Sequence, residues 1–186
     1  MDTVITDPDD PALTRLFTDY TDSAWQLLTL PYYNHPHEQP AFDHYRNGTT
    51  PTSWAHTWTT DTVTNAVAAD KDIGRVHVIE RTTTDNKLTL SDYLRFTLHR
   101  YEAAKAAGET IRIAWTKPGS WPRHIGTPGD DFWLFDEHTD HGIVVKQQYS
   151  ANGTFQQATI SHDPAKIRRA TKTKRAALAA SKLFYP

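Results

Sequence analysis

The residues best equipped for chemistry gather in one turn, Asp136-Glu137-His138-Thr139-Asp140-His141-Gly142. Asp136, His138, Asp140 and His141 offer carboxylate oxygens and imidazole nitrogens, a donor set that suits a divalent metal. Their spacing matches no established metal signature, and turns collect solvated Asp and His for conformational reasons. The plain reading, an exposed turn, therefore outweighs the metal reading. A second cluster, His35-Pro36-His37-Glu38 with His44 beyond it, is poorer still, because the intervening proline keeps the two imidazoles extended and apart. A third grouping is spread over several elements. Tyr93 and Arg95 on a helix, Arg112 on the next strand, and Asp131 and Asp136 flanking a strand that carries Trp133 could line a polar crevice at strand ends. A guanidinium there would take a phosphate or carboxylate, and Glu80, Thr82, Trp115 and Lys117 stand at the same ends. The weightier alternative pairs Arg95 or Arg112 with Asp131 or Asp136 to fasten the helix to the sheet.

Charge singles out the C-terminal end. Seven basic residues follow Asp163 with no acid among them, so a net charge of -2 for the whole chain leaves -9 for the remainder. Arg168, Lys172 and Arg175 fall on one stripe of a helix, where they could grip DNA or RNA phosphates. A solvated basic face is the simpler reading, since no groove-reading motif accompanies them.

Absent motifs narrow the chemistry further. There is no cysteine, which excludes disulfides, thiolate metal sites and cysteine nucleophiles. Nor is there a Gly-rich phosphate loop, a Gly-x-Ser-x-Gly elbow or a His-Glu-x-x-His helix, so the enzyme reading is the minority one. No cofactor is expected apart from the divalent metal alternative. The acidic start and the lack of a long apolar run leave a signal peptide or membrane span unsupported, and a cytoplasmic location is the expectation.

With 186 residues, 38% of them hydrophobic and six of them Trp, the chain suits one globular domain with a sizeable core. Four consecutive large apolar residues, Phe132-Trp133-Leu134-Phe135, read as a central strand buried on both faces. Residues 75–80 and 110–115 read as strands around a helix over 92–107, capped by Ser91 and closed by Gly108, with a parallel crossover. Residues 142–149 and 154–160, joined by Asn152-Gly153, continue the central strand as an antiparallel meander. Helices are expected over 11–20, 38–46, 61–70 and 164–183, a strand ending in a loop over 23–33, and a loop over 49–60 whose Trp54 and Trp58 must pack on something. The fold class is α+β: a mixed sheet flanked by helices, with an N-terminal helical extension over 1–20 and a basic C-terminal helix.

Several stretches form a set: Arg75-Val-His-Val, Leu90-Ser-Asp-Tyr-Leu-Arg-Phe96, Gly108-Glu-Thr-Ile-Arg112, Asp131-Phe-Trp-Leu-Phe-Asp136, Asn152-Gly153 and Asp163-Pro164. In that order they resemble an uncharacterised actinobacterial family marked by Tyr-Leu-Arg-Phe and Asp-Phe-Trp-Leu-Phe-Asp signatures, over roughly residues 22–186. The resemblance implies no particular reaction. It implies a genomic setting beside helix-turn-helix regulators, hence a partner-binding or regulatory role, with such a regulator as the protein partner, rather than metabolism. The histidines of the 136–142 turn depart from the family pattern. A strand-helix-strand unit followed by a meander also resembles one half of a phospholipase-D-like domain, but the His-x-Lys which that chemistry needs occurs nowhere here. The leading expectation is a non-enzymatic regulatory or protein-interaction domain. The alternatives are a toxin-like hydrolase or nuclease with a metal-assisted Asp/His/Arg site, and direct nucleic-acid binding through the C-terminal helix.

Overall fold

The computed structural model describes residues 2–49, 58–84, 87–122 and 124–185. In chain order the elements are β1 (Thr3–Ile5), α1 (Pro11–Asp19), β2 (Ser23–Leu28), α2 (Gln39–Arg46), α3 (Trp58–Ala68), β3 (Asp72–Glu80), β4 (Thr82–Thr84) and β5 (Lys87–Thr89). They continue with α4 (Asp92–Ala106), β6 (Thr110–Thr116), β7 (Phe132–Phe135), β8 (Ile143–Tyr149), β9 (Phe155–Ser161), α5 (Pro164–Ala180) and β10 (Lys182–Leu183). Eight strands form one mixed sheet in the order β1-β9-β8-β7-β2-β3-β6-β10, and β4 with β5 makes a separate hairpin. Among the described residues, no helix is long and apolar enough to cross a membrane.

The sheet has two halves, and β7 joins them. β2, β3 and β6 run parallel, while β7, β8, β9 and β1 run antiparallel, with β7 against β2 in the register Trp25↔Leu134 and Leu27↔Phe132. Alternation sends Phe132 and Leu134 to one face, packed with Val76, Val78 and Ala170 of α5. Trp133 and Phe135 go to the other face, with Val63 and Ala66 of α3 and Phe17 of α1. All four are buried, and burial of side chains this large contributes roughly 2–3 kcal/mol apiece. On the same side as α1 and α3, α2 and α4 cover the parallel half through Phe42, Leu94 and Phe96 against Ile79, Ile111 and Ile113.

Local signals account for the helices. The Asp10, Ser91 and Asp163 side chains accept backbone N–H bonds from Ala12, Leu94 and Ala165, capping α1, α4 and α5. Three features differ from the sequence reading. The segment read as an N-terminal extension is built into the fold: β1 pairs with β9, and the Phe17 ring stands 4.8 Å from Trp133 and 5.3 Å from Phe135. α3 begins at Trp58, which puts Asp61 in its first turn rather than at its cap. α5 ends at Ala180, and the chain turns at Ser181 into β10, an edge strand on β6. Trp54 lies outside the described residues, as does most of the loop expected around it.

Candidate functional site

In β3 the residues Ile73, Arg75, His77 and Ile79 share the face under α3 and α4, while Val76 and Val78 face α5. An arginine and a histidine are thus placed inside the molecule, and each must find partners there. Arg75 donates to Glu109, which precedes β6, through Nε–Oε1 at 2.5 Å and Nη2–Oε2 at 3.0 Å. The Glu109 side chain is wholly buried, and the guanidinium also stands 5.2 Å from the centre of the Tyr101 ring. Burial disfavours the Arg75 charge, but Glu109 and Tyr101 outweigh it and hold its pKa above the ordinary range.

His77 is fully buried and has both ring nitrogens occupied: Nε2 lies 3.0 Å from the Leu30 carbonyl oxygen, and Nδ1 lies 3.0 Å from the Tyr101 hydroxyl. A carbonyl only accepts, so Nε2 carries the proton and Nδ1 accepts from Tyr101. Burial lowers the His77 pKa to about 4, so the imidazole is neutral at neutral pH. The backbone on either side of Leu30 carries the network onward. The backbone N–H groups of Thr29 and Leu30 each donate to the Tyr33 hydroxyl at 3.1 Å. That hydroxyl donates to Asp131 Oδ2, Thr29 Oγ1 donates to Asp131 Oδ1, and the Gly129 N–H donates to Thr29 Oγ1 at 2.8 Å. Asp131 is 0% exposed; burial raises its pKa to about 6, with the Thr29 and Tyr33 hydroxyls pulling the other way.

The run Glu109, Arg75, Tyr101, His77, Tyr33 and Asp131 therefore crosses the parallel half of the sheet toward the C-terminal ends of its strands. Open α/β sheets bind ligands at those ends. Here aromatic side chains cluster around Tyr33. His35 stacks on Tyr33 at 5.9 Å with 7° between the rings, and Tyr149 meets Tyr33 edge-on at 5.1 Å. Glu38 accepts from Tyr93 at 3.0 Å and from Arg100, which ties α2 to α4 beside them. Burial lowers the His35 pKa, with Glu38 opposing.

Asp131 and Asp136 do not share a site. They lie at opposite ends of β7, five residues apart, which is about 16 Å at about 3.3 Å per residue. Asp136 binds the start of β2. Its carboxylate accepts from the backbone N–H of Thr21 at 2.9 Å, of Asp22 at 2.8 Å and of Ser23 at 3.1 Å, and from the Thr21 hydroxyl at 3.2 Å. Burial acts to raise the Asp136 pKa, but these donors hold it below the ordinary value. Of the other turn residues proposed as metal ligands, His138, Asp140 and His141 are exposed. Glu137 reaches α5 and pairs with Lys174. Among the described residues, no group of three or more His, Asp and Glu is placed to hold a metal ion.

Among the described residues neither Arg95 nor Arg112 pairs with Asp131 or Asp136, and for Arg112 alternation explains why. Arg112 lies between Ile111 and Ile113, which face α4, so it points to the α5 side. There it donates to Ser181 Oγ at 3.0 Å and to the Ser181 carbonyl at 2.8 Å, anchoring the end of α5 on β6. Arg95 is exposed on α4, Tyr93 is buried against Glu38, and Trp133 belongs to the core. Arg168, Lys172 and Arg175 are exposed along α5. Arg75, His77, Tyr101, Glu109, Tyr33 and Thr29 escaped the sequence reading as a site. The signal available was two polar residues at the inward positions of an otherwise β-branched strand.

Comparison with curated proteins yields no match. Solved structures match in fold. Nuc from Salmonella typhimurium, a phospholipase D family member, aligns with 100% of this chain and 99% of its own at 9% identity and a TM-score of 0.57. NucT from Helicobacter pylori aligns over 99% of each chain at 12% identity and a TM-score of 0.53. TrmBL2, an archaeal chromatin protein described as showing a novel mode of DNA binding, aligns with 99% of this chain and 55% of its own at 8% identity and a TM-score of 0.52. At these identities the likeness is one of fold. A family model covers residues 11–184, and the chain belongs to that family, described as Domain of unknown function (DUF6879).

Proposed function

We propose that this chain is a non-catalytic regulatory module with a phospholipase-D-like fold, acting through a protein partner. One observation carries the reading: the polar residues that run from Glu109 through His77 to Asp131 bond to one another inside the fold. His77 has no free ring nitrogen, Asp131 is fully buried, and His35 and Tyr149 pack against Tyr33. The missing His-x-Lys supports the same conclusion. The partner is a helix-turn-helix DNA-binding regulator, and the setting is a cytoplasmic regulatory or mobile locus of actinobacterial type, as the family signatures imply. That a chromatin protein shares the fold is consistent with a use of this architecture in DNA regulation.

Co-expression with the adjoining helix-turn-helix gene should yield a stable complex in which the tag on either chain retains the other. A chain that always purifies alone counts against the reading. The second reading, a toxin-like hydrolase, has the fold shared with a phospholipase D family member in its favour. It requires hydrolysis of bis(p-nitrophenyl) phosphate or of DNA, with or without magnesium, manganese or zinc. Turnover that His77→Ala abolishes without unfolding the chain would establish that reading and overturn ours.

A further inference from the structure

Helix α5 carries six basic residues and no acidic one between Pro164 and Ala180, and the fold uses only two of the six. Lys166 pairs with Asp2. Lys174, whose side chain is only 17% exposed, pairs with Glu137 and stands over the Trp25 ring. Arg168, Arg169, Lys172 and Arg175 are exposed, and among the described residues no carboxylate pairs with them. Arg168, Lys172 and Arg175 follow one another at i, i+4 and i+7 on one side, with Arg169 alongside. Like charges at such spacings destabilise a helix slightly, so the arrangement gives the fold nothing.

The element that presents them is firmly held. Asp163 caps its start, Ala170 and Ala177 bury its inner side, and Arg112 of β6 holds its end through Leu178 and Ser181. The four cations therefore sit on a fixed scaffold, which lowers the ordering cost of binding.

Chemistry narrows the partner. Three of the four are arginines, whose planar guanidinium matches phosphate in two-point contact. The exposed face holds no large apolar residue to enter a lipid surface and no aromatic ring on which an unpaired base would stack. From Arg168 to Arg175 the helix advances about 10 Å at about 1.5 Å per residue. Measured along the duplex axis, where each strand carries one phosphate charge per about 3.4 Å, that length covers about three phosphates. The rest of the chain is acidic and would repel DNA, which leaves α5 to make the approach.

We propose that the exposed face of α5, formed by Arg168, Arg169, Lys172 and Arg175, binds the sugar–phosphate backbone of duplex DNA without reading its sequence. This surface adds to the regulatory module and does not depend on its protein partner. The test is fluorescence anisotropy of the full chain with labelled duplexes of about 20 base pairs and unrelated sequence. Three to four phosphate contacts predict a slope of about -3 to -4 for log affinity against log salt, or about a hundredfold weakening from about 50 to about 200 mM salt. Substituting Arg168→Gln, Lys172→Gln and Arg175→Gln together should abolish this binding while circular dichroism and the melting temperature stay unchanged. Arg15→Gln, on α1 across the sheet, should leave binding intact. A triple variant that binds as the parent does overturns the proposal. So does a polyglutamate peptide or a phosphatidylserine vesicle that binds as tightly as the duplex at matched salt. A chain that ignores DNA yet co-purifies with its regulator sinks this proposal alone and leaves the partner reading standing.

Discussion

Replacing Asp131 with Asn should change how stability depends on pH. In the folded chain burial raises the Asp131 pKa from its ordinary 3.8 to about 6. Through that window the folded state binds more protons than the unfolded state, so the contribution of Asp131 is fully present below pH 3.8 and is lost as pH rises to about 6. The gap corresponds to roughly 3 kcal/mol at about 1.4 kcal/mol per pKa unit, of which about 2 kcal/mol is lost between about pH 4 and about pH 8. Asn is a fair replacement because its carbonyl oxygen can accept from Tyr33 and its amide can donate to Thr29 Oγ1, which accepts only the Gly129 N–H at present. Urea unfolding followed by tryptophan fluorescence, across the same pH range, gives the difference between parent and variant. That difference should turn against the parent by about 2 kcal/mol as pH rises. A difference constant to within about 0.5 kcal/mol would refute the buried-carboxylate reasoning. The comparison is needed because His77 acts in the opposite sense: its folded pKa is about 4 against 6.5, and the two contributions largely cancel in the parent.

Four further substitutions test other contacts of the fold. His77→Gln should remove a contribution that is present above pH 6.5 and lost as pH falls toward about 4, so the parent should gain roughly 3 kcal/mol on the variant as pH rises through that range; parallel pH profiles would contradict it. Glu109→Gln strands the buried Arg75 charge and should cost about 3–5 kcal/mol by urea unfolding, and a loss below about 1 kcal/mol would show that the pair is not desolvated. Asp136→Ala removes the acceptor for three amides at a residue whose φ is 50°, and should cost about 3 kcal/mol or more. Asp130→Ala, which removes the exposed pair with Lys146 and the two bonds from the Thr127 N–H and hydroxyl at the surface, should cost only about 1–2 kcal/mol, and a loss equal to that of Asp136→Ala would refute the distinction. Asp136→Ala is for this reason a poor probe of activity.

Elements with a full period were legible. Phe132-Trp133-Leu134-Phe135 declared a strand buried on both faces, and its residues divide between the two cores as alternation requires. Ser91 and Asp163 marked helix starts that the structure keeps. The edge strands β1 and β10 were not legible, because three and two residues are too few to show a period. The site was read only in part. Asp131 was recognised as a candidate but given the wrong neighbours. Its true partners Thr29 and Tyr33 are 102 and 98 positions away, and no local pattern encodes a contact at that range.

The amino-acid order alone determined the long central strands and the capped helices, the basic character of α5, and the absence of cysteine and of His-x-Lys. Those are properties of neighbouring residues or of their types. Tertiary structure alone decided that Arg75 meets Glu109, that His77 lies between Tyr101 and Leu30, and that Asp131 and Asp136 face opposite ends of the sheet. It also decided that Lys166 and Lys174 are spent on ion pairs while four other cations of α5 stay free of carboxylates among the described residues. The reason is physical: periodicity says which face a side chain takes, but strand order and register set what waits on that face.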